Sequence, residues 1–127
     1  MSPKTEEARK TVLVVDDSME VLLLVATILS LGSYETIEST SASEAMEIAG
    51  RNRIDLLISD VEMPEMGGAE LVAALKASGA VERCVLISGA SMDALRYTYR
   101  RDRLVRFVAK PFGAGQLMRE IQELFES

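Results

Sequence analysis

The sequence predicts an α/β fold in which a doubly wound, five-stranded parallel sheet is flanked by five helices. Short apolar runs rich in β-branched residues alternate with segments whose apolar residues recur at spacings of three and four. This strand–helix pair occurs five times in 127 residues, and no linker, repeat or low-complexity segment interrupts the series. Because parallel strands need right-handed crossovers, five such units in series place helices on both faces of one sheet.

The first unit begins with a strand at residues 11–15, where the run TVLVV is continuous, apolar and β-branched, as in strands buried on both faces. A helix follows over 18–31, because a serine opens it and its apolar residues share one face. Gly32 is placed to cap the C-terminus of this helix. A weaker second strand is expected at 34–38.

The second unit contains a capping box. Ser41 and Glu44 have the required spacing, so a helix is expected to begin at Ser41 and to end at Gly50. The third strand is expected at 54–58, where the sequence reads IDLLI. Residues 60–68 form a loop, because they contain a proline and two consecutive glycines.

The second half of the chain continues the alternation. A helix is expected over 69–78, and Gly79 stops it. The fourth strand is the buried run CVLI at 84–87. The remaining periodic segments predict a helix at 92–101, a strand at 104–109 and a helix at 115–125.

Composition excludes several classes of function. The chain has 14 Lys plus Arg and 20 Asp plus Glu, and this net charge of −6 argues against direct nucleic-acid binding through the whole surface. It has no His and a single cysteine, Cys84, which excludes an internal disulfide, a His-based zinc site and a Ser-His-Asp triad. Cys84 begins a buried strand and is expected to be a small core residue. We find no membrane span or targeting segment and expect a cytoplasmic protein.

Polar side chains follow four of the predicted strands, at the sheet edge where α/β folds bind ligands. In chain order they are Asp16, Asp17, Asp60, Ser88 and Lys110. Three clustered carboxylates repel one another, so all three stay ionised only with a cation among them. Oxygen ligands without His or Cys select Mg²⁺, or Mn²⁺, rather than Zn²⁺.

Lys110 and Ser88 complete a site for an anionic group. Lys110 supplies a positive charge suited to a phosphate oxygen, and Ser88 supplies a hydroxyl donor. Beside a carboxylate nucleophile, these groups indicate aspartyl-phosphate chemistry. Taken singly, each has a simpler explanation in a helix cap, a turn or the end of a strand. Their joint occurrence at four strand ends favours the functional interpretation.

Four sequence blocks carry a resemblance to a known family. They are VVDD at 14–17, DVEMPEMGG at 60–68, LISGA at 86–90 and VAKPF at 108–112. Over residues 11–126 the chain resembles the receiver domain of two-component response regulators. The resemblance implies a flavodoxin-like fold with strand order 2-1-3-4-5. It also implies a receiver domain at 11–127, preceded by an N-terminal extension at 1–10.

The resemblance assigns roles around a phosphoryl group. Asp60 is implied as the phosphoacceptor, Lys110 as the partner of a phosphoryl oxygen, and Ser88 as the hydroxyl that moves toward the phosphoryl group. Phe107 is implied as the switch aromatic, which turns into the space that Ser88 leaves. The bond between Lys110 and Pro111 is implied to be cis.

The same resemblance implies Mg²⁺ as the cofactor, with Mn²⁺ as a substitute. Asp17 is implied as a direct ligand and Asp16 as a ligand that acts mainly through water. Asp60 and the backbone carbonyl of Glu62 complete the protein's share of the metal site.

The implied function is a phosphorylation-activated signalling module of a two-component phosphorelay, not a metabolic enzyme. Because the chain has no His, the phosphoryl donor is expected to be a histidine kinase or a histidine phosphotransfer protein in another chain or domain. Phosphorylation of Asp60 would switch the face formed by the fourth helix, fifth strand and fifth helix.

Two alternatives remain open at this point. A Mg²⁺-dependent aspartyl-phosphate phosphohydrolase would place its nucleophile after the first strand and a second acid two residues later, but Ser18 occupies that position. A receiver that serves only as a binding scaffold would not bind Mg²⁺. With no output domain after the last helix, the chain is either a stand-alone regulator or part of a larger protein.

Three features depart from the usual family pattern. Glu62 is an acid at a variable position, where we expect a solvated loop residue or, alternatively, a carboxylate that faces the metal or the hydrolytic water. At 102–104 the chain reads DRL where the family often has Ala-Gly-Ala, so the fourth helix is expected to end differently or to be mobile. Five arginines, offset only by Asp102, give residues 96–106 a charge of +4: Arg96, Arg100, Arg101, Arg103 and Arg106. They form either a solvated face or a docking surface for an output partner, such as an acidic protein or a nucleic acid, or for a second copy of the chain.

Overall fold

The structure, a computed structural model, describes residues 9–127, so residues 1–8 of the predicted N-terminal extension lie outside the described residues. The sheet order is β2-β1-β3-β4-β5, and each neighbouring pair is parallel. The strands are β1 (Lys10–Val15), β2 (Tyr34–Ser39), β3 (Leu56–Asp60), β4 (Cys84–Ser88) and β5 (Val105–Ala109). This arrangement confirms the predicted fold class and strand order.

A helix follows each strand of the sheet. The helices are α1 (Met19–Leu29), α2 (Ala42–Arg51), α3 (Gly68–Ala77), α4 (Asp93–Thr98) and α5 (Ala114–Glu126). The Ser41 side chain accepts a hydrogen bond from the Glu44 amide at 3.2 Å, which confirms the predicted start of α2. Across residues 9–127, no helix is both long enough and apolar enough to cross a membrane.

Two apolar layers hold the helices against the sheet. On one face, buried residues of α1 and α5 pack on alternate strand residues such as Val14, Ile58 and Val85. On the other face, α2 and α3 pack on the intervening strand residues, among them Leu57 and Cys84. Cys84 is fully buried, and this burial raises the pKa of its thiol to about 12. It is therefore a core residue, as predicted.

The third strand lies two residues later than predicted, at Leu56–Asp60 rather than at 54–58. The Asp55 carboxylate accepts the Thr11 amide at 2.8 Å, and the Asp55 amide donates to the Thr11 carbonyl at 2.9 Å. The paired register of β1 with β3 starts one residue later, where Leu56 faces Val12. As a result Asp60 ends the strand instead of beginning the loop, and the sheet holds its backbone.

The prediction that Gly32 caps α1 is wrong. The helix ends at Leu29, two residues early, and Ser30 is its C-cap. The Ser30 amide donates to the Ala26 carbonyl at 2.9 Å, and the Leu31 amide donates to the Ile28 carbonyl at 3.1 Å. Within the described residues, the glycine with a left-handed backbone is Gly79, with φ of 79°. Gly79 follows α3 and stops it, as predicted.

The fourth helix is also shorter than predicted, since it ends at Thr98. The segment after it is tied to α3, because Lys76 Nζ lies 2.9 Å from a carboxylate oxygen of Asp102 and 2.6 Å from the Glu82 carbonyl. The other Asp102 oxygen accepts the Leu104 amide at 3.0 Å. In this chain, where residues 102–104 replace the usual Ala-Gly-Ala, α4 ends early. The ion pair between Lys76 and Asp102 holds the loop that follows.

Candidate functional site

The sheet brings the predicted polar residues together at one edge. Asp16 and Asp17 follow β1, Asp60 ends β3, Ser88 ends β4 and Lys110 follows β5. Ligand oxygens of Asp16, Asp17 and Asp60 all lie within 4.8 Å of one another. Asp16 and Asp60 are buried, whereas Asp17 is exposed and borders solvent.

Asp60 is a buried carboxylate that lies beside the ammonium group of Lys110. The residue is 5% exposed, and its Oδ1 lies 3.4 Å from Lys110 Nζ, which is within ion-pair distance. Within residues 9–127, Oδ1 accepts no hydrogen bond. Burial raises the pKa of the Asp60 carboxyl above its ordinary value, and the charges of Asp16 and Glu62 raise it further, whereas Lys110 lowers it. The atom is therefore available to bind a cation or to act as a nucleophile.

Asp16 is the second buried carboxylate, at 2% exposure. Its Oδ1 accepts the Ser18 amide at 2.9 Å, and its Oδ2 lies 3.7 Å from Lys110 Nζ. Burial raises the pKa of this carboxyl, and the Ser18 hydrogen bond and Lys110 oppose the effect. Asp16 therefore holds the backbone of Ser18, the N-cap of α1, with one oxygen, and its other oxygen lies near Lys110.

This donor set fits a hard divalent cation. It offers carboxylate oxygens from three residues, and Asp60 Oδ1 is buried and has no hydrogen bond from any described residue. Burial and mutual repulsion disfavour the ionised forms of Asp16 and Asp60, so a bound cation would relieve a real electrostatic cost. Oxygen-only ligation matches Mg²⁺ or Mn²⁺ rather than Zn²⁺.

Ser88 makes a contact that the sequence did not predict. It is fully buried, its hydroxyl donates to Glu62 Oε2 at 2.5 Å, and its Oγ accepts the Ala90 amide at 2.9 Å. Glu62 is exposed, as expected of a loop residue, but its carboxylate is bonded to the predicted switch hydroxyl and is not simply solvated.

The start of α3 packs directly on the backbone of Asp60. The Gly68 amide donates to the Val61 carbonyl at 3.0 Å. A Cβ built at Gly68 would lie 2.2 Å from the Asp60 carbonyl oxygen and 2.9 Å from Ser59 Oγ. Only a glycine permits this approach, so Gly68 is needed to position α3 against Asp60. The sequence predicted Gly68 only as a loop residue.

The predicted switch aromatic, Phe107, is half-buried on β5 and packs against the core layer of α2 and α3. The guanidinium carbon of Arg96 lies 5.0 Å from the centre of its ring, a cation–π distance. The peptide bond between Lys110 and Pro111 is cis, as the resemblance implies.

The five arginines do not form one uniform patch. Arg106 donates to Glu120 and to Glu123 of α5, both at 2.9 Å, so its charge is compensated within the chain. Arg100 lies over the Tyr97 ring at 4.0 Å. Arg101 and Arg103, in the segment between α4 and β5, are exposed.

The fold and this site define a domain with three clustered carboxylates and an ammonium group at one sheet edge. A family model of the response regulator receiver domain matches residues 12–122. The chain therefore belongs to the response regulator receiver domain family of two-component systems. Receiver domains are signalling modules, and they bind Mg²⁺ at an acidic site.

Individual relatives agree with this assignment. The chain is 32% identical to the sensor kinase CckA of Brucella abortus over 118 residues, which are 91% of this chain and 12% of that protein. It is 32% identical over 114 residues to the transcriptional regulatory protein PrrA of Mycobacterium bovis, covering 89% of this chain and 48% of PrrA. The chain thus spans less than half of either relative.

A solved structure of a similar protein shows the same fold. The chemotaxis protein CheY4 of Vibrio cholerae superimposes with a TM-score of 0.83 at 27% identity, covering 92% of this chain and 99% of that chain.

Proposed function

We propose that this chain accepts a phosphoryl group on Asp60 within a two-component phosphorelay. The observation that carries the proposal is the environment of Asp60 at the end of β3. Its buried Oδ1 has no hydrogen bond among the described residues and lies 3.4 Å from an ammonium group, beside two more carboxylates. A carboxylate held in this way is ready to attack an electrophile whose negative charge the Lys110 ammonium group helps to balance.

In the proposed reaction, an Asp60 carboxylate oxygen attacks the phosphorus of a phosphohistidine on the donor. A P–O bond forms while the P–N bond of the donor breaks, and the electron pair of that bond returns to the donor's imidazole. Lys110 Nζ pairs with a phosphoryl oxygen, and the Ser88 hydroxyl donates to another. Catalysis is then mainly positioning and charge compensation.

The proposed cofactor is Mg²⁺, with Mn²⁺ as a substitute. Its proposed ligands are the carboxylates of Asp17 and Asp60, Asp16 mainly through water, and the backbone carbonyl of Glu62. When bound, the ion offsets the negative charge of these carboxylates and of the incoming phosphoryl group.

Mg²⁺ is expected to stabilise the fold more strongly at about pH 7.5 than at about pH 5. The pKa values of Asp16 and Asp60 are raised by burial, so these groups favour the metal-free fold at low pH. That contribution is lost as the pH rises through the raised pKa values, and Mg²⁺ needs the deprotonated carboxylates. At about 100 times its Kd, Mg²⁺ should add about 2–3 kcal/mol near neutral pH.

Thermal unfolding with Mg²⁺ and with chelator, at both pH values, measures this difference. The Asp17→Asn variant is the matched control and should lose most of the gain. An equal gain at the two pH values would contradict the proposed ligand set.

The proposed output is a change of the face formed by α4, β5 and α5. When Ser88 turns toward the phosphoryl group, Phe107 fills the space behind it and repacks this face. The same face carries Arg96, which lies over the Phe107 ring, and the exposed Arg101 and Arg103. We propose that an output partner or a second copy of the chain docks there.

The proposed donor is a histidine kinase or a histidine phosphotransfer protein, since this chain has no His of its own. The similarity to part of a sensor kinase and to part of a transcriptional regulatory protein supports a place in such a pathway. The proposed location is the cytoplasm, where an unpaired thiol such as Cys84 stays reduced.

Stoichiometry tests the proposal against the phosphohydrolase alternative. With Mg²⁺ and acetyl phosphate, the chain should gain a single acyl phosphate, which alkaline hydroxylamine releases. A small phosphate ester should not be turned over repeatedly. Sustained hydrolysis of p-nitrophenyl phosphate without a stable phosphoprotein would favour the hydrolase.

A further inference from the structure

The Ser88 hydroxyl has one proton, and the structure shows where that proton is used. It is donated to Glu62 Oε2 at 2.5 Å, while Ser88 Oγ accepts the Ala90 amide at 2.9 Å. A serine hydroxyl donates one hydrogen bond at a time. Ser88 therefore cannot donate to a group on Asp60 until it leaves Glu62.

We propose that Glu62 is a latch on the switch: its carboxylate holds the Ser88 hydroxyl in the unphosphorylated arrangement, and activation requires the hydroxyl to redirect its hydrogen bond from Glu62 to the phosphoryl group. The inference rests on the proposed function, because it assumes that Asp60 carries the phosphoryl group. In this role Glu62 is a positioning residue that acts through Ser88.

The arrangement of the strands supports a direct competition between Glu62 and the phosphoryl group on Asp60 for the Ser88 hydroxyl. Asp60 faces Ile87 in the register of β3 with β4, so Ser88 lies one residue beyond Asp60 on the neighbouring strand. The Glu62 charge is close enough to Asp60 to raise the pKa of that carboxyl. Added negative charge at Asp60 would therefore repel Glu62 while it attracts the Ser88 hydroxyl.

Ser88 also contacts β5, which belongs to the face formed by α4, β5 and α5. Ser88 faces Ala109 in the register of β4 with β5, and its carbonyl accepts the Lys110 amide at 2.8 Å. Phe107 lies two residues before Ala109 on β5. Movement of Ser88 therefore changes the packing of β5 close to Phe107. The hydrogen bond from Ser88 to Glu62 determines how readily Ser88 moves.

A double-mutant cycle tests the latch with Mg²⁺ and beryllofluoride as the probe. Glu62→Gln keeps the shape of the side chain but replaces a charged acceptor by a weaker neutral one. It should tighten beryllofluoride binding to the protein with Ser88 about fivefold more than to the Ser88→Ala protein. A purely electrostatic effect of Glu62 would give the same factor in both backgrounds and would overturn the latch.

Glu65→Gln provides a matched control, since it removes a charge from an exposed position of the same loop. It should change the apparent Kd of beryllofluoride by the same small factor in the wild-type and Ser88→Ala backgrounds. Coupling as large as that of Glu62 would show that loop charge, not the hydrogen bond, is responsible, and would overturn the latch.

A second readout uses the metal-free variant and takes the wild-type beryllofluoride complex only as a reference. The Ala90 amide reports on Ser88 because it donates to Ser88 Oγ. In metal-free Glu62→Gln protein, its NMR resonance should move toward the position that it takes in the wild-type beryllofluoride complex. An unchanged resonance would contradict the latch.

The outcomes separate the latch from the proposed function. If beryllofluoride binds the wild type but not Asp60→Asn, and the cycle shows no coupling, only the latch fails. If beryllofluoride binding is absent from the wild type or indifferent to Asp60→Asn, the proposed function fails, and the latch fails with it.

Discussion

The Asp60→Asn variant is expected to form no acyl phosphate with Mg²⁺ and a small phosphodonor, with incorporation below about 1% of the wild type. The amide is a far poorer nucleophile than the carboxylate, and it also removes one of the proposed metal ligands. Phosphate that hydroxylamine can release is the quantity to measure. Full incorporation into Asp60→Asn would remove Asp60 from the proposed reaction.

The same variant should be more stable than the wild type when no metal is present. Burial and the neighbouring carboxylates raise the pKa of Asp60, so its charged form is costly in the metal-free fold. A neutral amide relieves that cost, and we expect a gain of about 1 kcal/mol in urea unfolding with chelator. Such a gain also shows that lost phosphorylation is not a result of unfolding.

Asp93→Asn is a suitable control for this pair of results. Asp93 is an exposed carboxylate in the first turn of α4, and it does not belong to the cluster of Asp16, Asp17 and Asp60. The same chemical change there should leave acyl phosphate formation intact. A matching loss in Asp93→Asn would indicate a general effect of charge instead of a nucleophile at Asp60.

Gly68→Ala should have the largest effect on stability among conservative changes near the site. The added Cβ would lie 2.2 Å from the Asp60 carbonyl oxygen and 2.9 Å from its carbonyl carbon. These are backbone atoms at the end of β3, the central strand of the sheet, so α3 must move, at a cost of about 2–3 kcal/mol. Because the clash falls on Asp60, Mg²⁺ affinity should fall together with the free energy of unfolding.

Gly115→Ala makes the opposite prediction from the same chemical change. Gly115 lies in the first turn of α5, and a Cβ there meets no atom of the described chain within 4 Å. Replacing a helical glycine by alanine should raise the free energy of unfolding by about 0.5 kcal/mol. Urea unfolding of both variants measures the contrast. If Gly68→Ala is as stable as the wild type, the proposed packing of α3 on Asp60 is wrong.

The residues that gather at the edge of the sheet were predictable, because the apolar pattern of the sequence indicates where each strand ends. Once five strand–helix units are recognised, the residues after the strands must meet, and this rule brought Asp16, Asp60 and Lys110 together. The helix and strand ends were less predictable where side chains replace backbone partners. At the start of β3, the Asp55 carboxylate accepts the Thr11 amide, and the strand begins at Leu56, two residues later than predicted.

Pairings that involve the side chains of loop or surface residues were not predictable in the same way. The bond between Glu62 and Ser88 depends on the path of a loop in which Glu65 takes a left-handed backbone conformation with φ of 67°, and periodicity does not describe such a loop. The pairing of Arg106 had a weak signal. Glu120 and Glu123 are three residues apart on α5, so they share a helix face that can meet β5.

The most direct test of the central claim is to locate the phosphoryl group on the wild-type chain. Borohydride reduces an aspartyl phosphate to homoserine, so the modified residue can be identified by tandem mass spectrometry after phosphorylation with Mg²⁺ and acetyl phosphate. We predict homoserine at position 60, and none at Asp16 or Asp17. Homoserine at another aspartate, or a stable phosphoprotein without any homoserine, would contradict the assignment of Asp60 as the phosphoacceptor.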